Sequence, residues 1–272
     1  MDRGHHLRLI RPRREAKRSG AVGPGVVTSS GPGYGPPSRR DRRRAETITE
    51  IKAAARAQLA ESGPAGISLR GIARQLGMTA TAVHYYFPGH QALLDALIVD
   101  GYTSLTEALR GTYESTGGLP AHDRWLAVCR VHRAWALERP SEYLLLYGHT
   151  GSAATSAGPA AVHRAMSGVV GVLFALMHDA LAAGEVDTEG LDRLVPARLR
   201  SELADWRAST EDLADIPDGA LAGCMIGYAQ LHGAITLELI GRAPPQLADR
   251  DALFDLQMNH ISGSLGAPPP PW

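Results

Sequence analysis

The sequence predicts an all-α protein made of two helical units, and three observations support this prediction. Apolar residues recur at steps of three and four in residues 48–59 and 94–109, which is the period of an amphipathic helix. From Ala121 to about His260 the apolar segments are separated by Gly, Pro and Asp, and no convincing strand pair occurs. Residues 69–87, LRGIARQLGMTATAVHYYF, have the spacing of two short helices joined by a tight turn. A sheet is therefore not expected in either unit.

The first predicted helix shows one apolar face and a clear end. Its apolar residues are Ile48, Ile51, Ala55 and Leu59, and Ser62-Gly63-Pro64 follows them. Gly favours the left-handed conformation that ends a helix, and Pro cannot continue one. The hydroxyls of Ser68 and Thr79 are placed to cap a second and a third helix.

The second and third helices are predicted to form a helix-turn-helix. Ala73 must be small because two helices cross there, Gly77 allows the sharp turn, and Val83 packs the later helix onto the earlier one. Phe87-Pro88-Gly89 then ends the third helix. A long amphipathic helix is expected after this break, with its apolar face formed by Leu94, Leu97, Ile98, Leu105 and Leu109.

A helix-turn-helix commonly places its second helix in the major groove of DNA. Val83 and Phe87 are expected to face inward, with Tyr86 also in the core. The predicted outward set is Thr81, His84 and Tyr85, with Ala80 able to approach a thymine methyl group. The capping hydroxyls of Ser68 and Thr79 are expected to donate to phosphates as well.

The net charge of zero conceals an asymmetry along the chain. Residues 1–44 contain 12 Lys and Arg against 3 Asp and Glu, so the remaining residues carry 16 basic and 25 acidic groups. For residues 1–37 a solvated basic tail and a DNA-binding arm are equally supported. For the arginines that lead into the first helix, contact with phosphates or the minor groove is favoured; they are Arg39, Arg40, Arg42, Arg43 and Arg44.

Low-complexity segments set the outer boundaries of the predicted units. Residues 19–38 are rich in Gly, Pro and Ser, and the final APPPPW resembles a short polyproline tail. The sequence predicts a disordered basic extension over residues 1–40 and a helix-turn-helix unit over 41–90. A helical C-terminal domain over 91–262 and a disordered tail over 263–272 complete the predicted organisation.

Residues 44–98 resemble the N-terminal domain of the TetR family of transcriptional regulators, on the stretch ISLRGIARQLGMTATAVHYYFPGHQALLDAL. The later segment GYAQLHGAITLELIGR is similar to a Trp-x-x-x-His-Gly segment of one large TetR subgroup, with Tyr228 in the place of Trp. The resemblance implies that Arg70 contacts a base or phosphate and that His84 occupies a backbone-contacting position. It also places His90 where the family commonly has Lys or Arg near a phosphate.

Residues 219–237 form a stretch without a charge, bracketed by Asp218 and Glu238. A transmembrane helix is rejected for this stretch because it contains four glycines and several polar residues. We expect instead a helix buried between its own core and a partner subunit, as the family's last long helices are in a homodimer. The expected interface residues are Gly223, Gly227, Tyr228, Leu231 and Ile235.

The C-terminal domain is also expected to hold a small molecule. Ala165 to His178 form a strongly apolar run that is too short to span a membrane. Residue identity alone favours a plain helical core here, whereas the family resemblance implies an inducer cavity between the helices. The candidate lining residues are Trp125, Cys129, His132, Trp135, Tyr147, Phe174, Met177 and His178.

Other classes of protein find little support. The sequence lacks GxSxG, HExxH and P-loop motifs, so no enzyme, cofactor or metal site is expected. Cys129 and Cys224 are far apart and are expected to be reduced thiols in the cytoplasm. The resemblance implies a homodimeric regulator that releases a palindromic DNA operator when an inducer binds. The alternatives are a helical dimeric interaction module and an activator without a small-molecule inducer.

Overall fold

The computed structural model describes residues 38–148, 160–210, 213–242 and 245–265. Within these ranges the chain forms eleven α-helices and one short 3-10 helix, and no strand is present. The all-α prediction is therefore confirmed. The basic residues before Ser38 and the APPPPW tail lie outside the described residues.

The N-terminal head contains three α-helices: α1 (Arg39–Ser62), α2 (Leu69–Gln75) and α3 (Ala80–Tyr86). A 3-10 helix, Pro64–Gly66, connects α1 to α2. α1 begins inside the range expected to be a disordered extension, because Ser38 and Asp41 form a capping box at its first turn.

The glycines at the two turns of the head have the predicted role. Gly63 ends α1 with φ of 69°, and Gly77 lies between α2 and α3 with φ of 65°. At the second turn the amide of Met78 donates to the carbonyl of Ala73 at 2.8 Å, which closes the end of α2. A side chain at either glycine would be strained by the left-handed backbone.

The body contains eight further helices that begin at His90. They are α4 (His90–Ser115), α5 (Ala121–Glu138), α6 (Pro140–Tyr147), α7 (Ala160–Ala182), α8 (Thr188–Leu194), α9 (Ala197–Ser209), α10 (Asp218–Leu239) and α11 (Arg250–Ser264). α4 packs against α5, α6 and α7, while α10 packs against α5, α7, α8, α9 and α11.

One continuous apolar core joins the head to the body. It runs from Ile51 and Val83 in the head, through Leu94 and Leu105 of α4, to Ile235 of α10. A second cluster, which includes Phe174 and Leu213, lies between α7, α9 and α10. α4 therefore connects the two units, because it packs against α1 of the head as well as against α5, α6 and α7 of the body.

α7 is longer than the apolar run that predicted it. Ala160–Ala182 and Asp218–Leu239 are each long and apolar enough to cross a bilayer, so the expectation that length excludes the first was wrong. Both helices pack within the helical body, where Val169 and Leu176 of α7 and Leu221 and Leu231 of α10 are buried. Burial of this kind is typical of the core helices of a globular protein.

An ion-pair network also connects the head to the body. Asp100 of α4 lies 2.7 Å from Lys52 Nζ and 2.8 Å from Arg56 Nη2, both on α1. The Nε atom of Arg56 additionally lies 3.3 Å from Glu142 on α6. Three helices therefore meet through these four side chains, all of which are partly shielded from solvent.

We expect Asp100→Asn to lower the free energy of unfolding by about 1 kcal/mol, because the change leaves two half-buried cations without their shared carboxylate. Urea denaturation at low and high salt measures the effect, and added salt should reduce it. Glu107→Gln is the matched control, since Glu107 is an exposed residue on the same helix. If Asp100→Asn and Glu107→Gln lower the free energy of unfolding equally, the ion pairs of Asp100 do not stabilise the contact between head and body.

Candidate nucleic-acid interface and sites in the body

The α3 helix has one buried and one open face. Val83 is completely buried and Phe87, directly after the helix, is also buried, while Tyr86 packs partly against the core. These three inward positions are confirmed. Thr81, His84 and Tyr85 are exposed, and their spacing of three and four residues places them on one face of the helix.

The exposed ring of Tyr85 is held by a side chain from α1. Arg44 Nη1 donates a hydrogen bond to the Tyr85 hydroxyl at 3.2 Å. The Arg44 guanidinium also lies 5.3 Å from the centroid of the Tyr85 ring and 5.5 Å from that of Tyr86. This contact lowers the freedom of a ring that is 65% exposed, so the outer surface of α3 is partly ordered before any ligand arrives.

The capping hydroxyls lie at the predicted helix ends. Ser68 Oγ accepts from the amide of Gly71 at 3.1 Å, and Thr79 Oγ1 accepts from the amide of Ala82 at 3.1 Å. Each oxygen is exposed and retains its own hydroxyl proton, which can be donated to a phosphate. His90 differs, because its Nε2 lies 3.0 Å from the carbonyl oxygen of Pro64.

The cations of the head are divided between its two sides. Lys52 and Arg56 bind carboxylates of the body and are not part of the exposed surface around α3. Arg70 is exposed, as are all five arginines at the start of α1, which form no ion pair with another residue that the structure describes. An unpaired basic cluster at a helix N-terminus is unfavourable for the helix dipole, and an anionic partner such as DNA would relieve it.

An apolar cleft opens between α5, α7, α10 and α11. Its cavity volume is about 60 Å³, and the open space in and around it totals about 560 Å³. The cleft is therefore narrower than a typical small-molecule site. Its lining includes Trp125, Met177, Cys224 and Gly227. Burial raises the pKa of the Cys224 thiol to about 12, so this wall of the cleft is uncharged.

The predicted cavity residues do not line one cavity, and that expectation is corrected. Only Trp125 and Met177 line the cleft. Cys129 is buried in the core, Trp135 donates to Ser104, Phe174 packs against Trp206, and His178 lies outside the cleft lining. His132 and Tyr147 belong to a separate cluster. The eight residues are thus distributed over α5, α6 and α7 and over more than one face of these helices, which residue identity alone cannot separate.

The separate cluster contains aromatic and imidazole rings from α4, α5, α6 and α10. We call it the ring cluster, and its members are Tyr102, His132, Tyr143, Tyr147, Tyr228 and His232. The rings of His132 and His232 lie 5.0 Å apart, and the Tyr143 hydroxyl lies 2.8 Å from His232 Nδ1. His132 is completely buried, and neither of its ring nitrogens has a hydrogen-bond partner among the described residues; His232 Nε2 also has none.

Burial keeps both histidines neutral. Loss of solvation lowers the pKa of His132 well below its usual range, with a smaller contribution from the neighbouring His232. Burial lowers the pKa of His232 to about 4. The unfolded chain has ordinary histidines with a pKa of about 6.5, so it binds more protons than the folded chain in acid.

We therefore expect the free energy of unfolding to fall as the pH is lowered from about 6.5 towards 4. At pH 5, replacing His132 with Leu should remove roughly 2 kcal/mol of this acid sensitivity, since each pH unit below the unfolded pKa is worth about 1.4 kcal/mol. Urea denaturation of both proteins at pH 7 and pH 5 measures the difference. If the free energy of unfolding depends on pH in the same way in the unchanged protein and in His132→Leu, His132 is not held neutral by burial.

The predicted dimer-interface residues face the wrong way for a partner. A side chain at Gly223 would contact Leu265, and one at Gly227 would contact Ile261 and Trp125 of the same chain. Leu231 and Ile235 are completely buried, and Tyr228 lies in the ring cluster. The glycines of α10 thus admit helices of their own subunit, so this set of interface residues is corrected.

The opposite face of α10 is open and apolar. We call it the outer stripe; it consists of the exposed residues Met225, Ile226, Ala229, Gly233 and Leu237, and it contains no charge. Ile226 is 55% exposed and Leu237 50% exposed, and Leu256 on the neighbouring α11 is 56% exposed. Contiguous exposed apolar surface of this kind is typical of a protein contact site.

Sequence reasoning missed Tyr143 and the role of His232. The signal was present in the spacing, since Tyr143 and Tyr147, and likewise Tyr228 and His232, are four residues apart on their helices. Tyr102 carried no such signal, because it lies within the apolar face of α4. Among the described residues no three His, Cys, Asp or Glu side chains are close enough to hold a metal ion.

Two family models match this chain. A model described as bacterial regulatory proteins of the tetR family matches residues 51–97, and a tetracyclin repressor-like C-terminal domain matches residues 125–261. HTH-type transcriptional regulators from Mycobacterium bovis and Mycobacterium tuberculosis are 33% identical over 222 residues, which is 80% of this chain and 92% of each relative.

Solved structures agree with this assignment. The regulatory protein SCO4313 has a TM-score of 0.66 and 25% identity, over 83% of this chain and all of that one. A tetR-family regulatory protein from Rhodococcus RHA1 shares the fold, with a TM-score of 0.56 and 14% identity over 81% of this chain and 97% of that chain. From the two family models and the mycobacterial relatives, the chain belongs to the TetR family of transcriptional regulators, which bind DNA and are not enzymes.

Proposed function

We propose that this protein is a cytoplasmic homodimeric repressor that binds a palindromic DNA operator and releases it when a small molecule binds the body. The observation that carries the DNA part is the exposed face of α3, with Arg44 holding Tyr85 beside His84. The proposal includes the other predicted DNA contacts, each of which is an exposed residue of the head or of the start of α4, namely Ser68, Arg70, Thr79, Ala80, Thr81 and His90.

The homodimer is proposed to form through the outer stripe of α10 together with α11. Both helices are long, they pack against each other, and their open faces are free of a covering element in the described part of the chain. A two-fold contact brings the same stripe from each chain together. Two α3 helices about one DNA turn apart, roughly 34 Å, would then match two half-sites of the operator.

We propose that α6 transmits the effect of ligand binding to the DNA-binding head. This helix contributes Tyr143 and Tyr147 to the ring cluster, while Glu142 on the same helix pairs with Arg56 of α1. A molecule that displaces these rings would therefore change the contact between α6 and the head. Such a molecule weakens DNA binding by the difference between its affinities for the two arrangements.

Protection of DNA from nuclease cleavage tests the proposal. DNA from the region upstream of this protein's own gene should show one protected site with two-fold symmetry, and transcription from that promoter should fall when the protein is added. Increased transcription would identify the protein as an activator. Absence of any protected site, together with capture of one defined protein partner, would instead support the interaction module.

A further inference from the structure

The ring cluster and the apolar cleft lie along one seam between α5 and α10. Trp125 lines the cleft and His132 is in the cluster, seven residues later on the same face of α5. On α10, Cys224 lines the cleft, and Tyr228 and His232 follow at intervals of four residues. Two turns of helix, about 11 Å, therefore separate these cleft residues from the two histidines.

The inner end of this seam carries hydrogen-bonding capacity that the described chain does not use. His132 has two nitrogens without a partner although it is completely buried, and His232 has one. A buried polar group without a hydrogen bond destabilises a protein by about 1–3 kcal/mol. A neutral imidazole has one donor and one acceptor nitrogen, so a hydroxyl group, which also donates and accepts, can bridge the pair.

The surroundings of the pair select against a charged ligand. The members of the ring cluster are histidines and tyrosines, and burial raises the pKa of Tyr143 to about 12. The nearby Arg133 of α5 is already held by Glu238 at 2.7 Å and by Asp251 at 2.7 Å. Arg133 is therefore not free to pair with an anionic head group, and burying such a group without a cation would be costly.

We propose that the effector is an uncharged, largely apolar molecule with a terminal hydroxyl group, which lies along the α5–α10 seam with the hydroxyl at His132 and His232. Its apolar part lies in the cleft beside Trp125 and Cys224, which must widen to hold it. Tyr228 stands between the two ends, with its ring 4.2 Å from that of His232, and must turn aside when the ligand binds. This inference rests on the proposed effector-controlled regulator and names the chemistry of its site.

Calorimetric titration of the full-length protein with n-octanol, sodium octanoate and octylammonium chloride tests this assignment. The three probes have alkyl chains of nearly equal length and differ in the head group, which is a neutral hydroxyl, an anionic carboxylate or a cationic ammonium group. We expect n-octanol to bind with one site per chain and at least tenfold more tightly than either charged probe. His132→Leu should abolish this preference while leaving the melting temperature equal or higher, because the lost group had no partner.

Two further variants leave His132 unchanged, so that the test does not depend on whether His132→Leu folds. Cys224→Met fills the cleft and should weaken all three probes, whereas His178→Leu, outside the cleft lining, should leave n-octanol binding unchanged. The inference would be overturned if the three probes bind equally, if n-octanol does not bind, or if His132→Leu binds n-octanol as tightly as the unchanged protein does. The last two results are those expected if a buried water satisfies the histidines.

Failure of this inference differs visibly from failure of the proposed function. Sequence-specific DNA binding without n-octanol binding would remove the ligand assignment and leave the regulator intact. Selective n-octanol binding by a protein that does not discriminate between DNA sequences would support the site and remove the proposed repressor.

Discussion

Replacing Ile226 with Glu is expected to convert the dimer to monomers and to abolish operator binding. Ile226 is 55% exposed in the single chain and lies in the middle of the outer stripe. Two-fold symmetry buries two copies of each residue, so the interface would hold two unpaired carboxylates. Burial of each costs several kcal/mol, and the dimer dissociation constant should rise by more than about 100-fold. Sedimentation equilibrium measures this change directly.

Leu119→Glu provides the matched control for this experiment. Leu119 is 51% exposed, similar to Ile226, but lies in the connection between α4 and α5 and away from the outer stripe. The control should remain dimeric and bind the operator normally. If Ile226→Glu stays dimeric while a charge elsewhere dissociates the protein, the outer stripe is not the interface.

The second large effect is expected on the exposed face of α3. The family resemblance places His84 at a backbone-contacting position, but His84 lies on the outward face of α3 with Thr81 and Tyr85, and we assign it to a base edge. His84→Ala should then weaken binding to the operator by roughly 30-fold, since each base-edge contact contributes about 1 kcal/mol or more and a dimer loses two of them. Binding to a scrambled duplex should hardly change. Anisotropy titrations with both duplexes at one salt concentration separate these two quantities.

Arg44→Ala serves as the contrasting variant, because Arg44 lies beside the same face but is assigned to the DNA backbone. It should weaken binding to both duplexes by a similar factor and reduce the slope of affinity against salt. Loss of the hydrogen bond to Tyr85 adds disorder to that ring. Identical effects of His84→Ala and Arg44→Ala on the two duplexes would contradict the division between base and backbone contacts.

The head was predictable because its signals are local. Ser68 and Thr79 cap helices, and Gly77 turns the chain, through atoms within a few residues of each. The inward position of Val83 likewise follows from helical spacing. These features depend on backbone geometry that a short stretch of sequence specifies.

The body was less predictable because its helices are apolar on nearly every side. α10 carries small or apolar residues on both faces, and only the three-dimensional positions of α8 and α11 decide which face is covered by the same chain. His132 and His232 are likewise far apart in the sequence and meet only in the folded body. Tertiary packing, rather than residue identity, therefore determines which residues can form the proposed interface and effector site.

An anisotropy titration of labelled DNA from the protected region, at two salt concentrations and against a scrambled duplex, tests the central claim most directly. We predict two chains per duplex, at least about a thousandfold preference for the native sequence, and affinity that falls steeply with salt. Weak binding that is equal for both duplexes, or one chain per duplex, would contradict a dimeric regulator that reads its operator through α3.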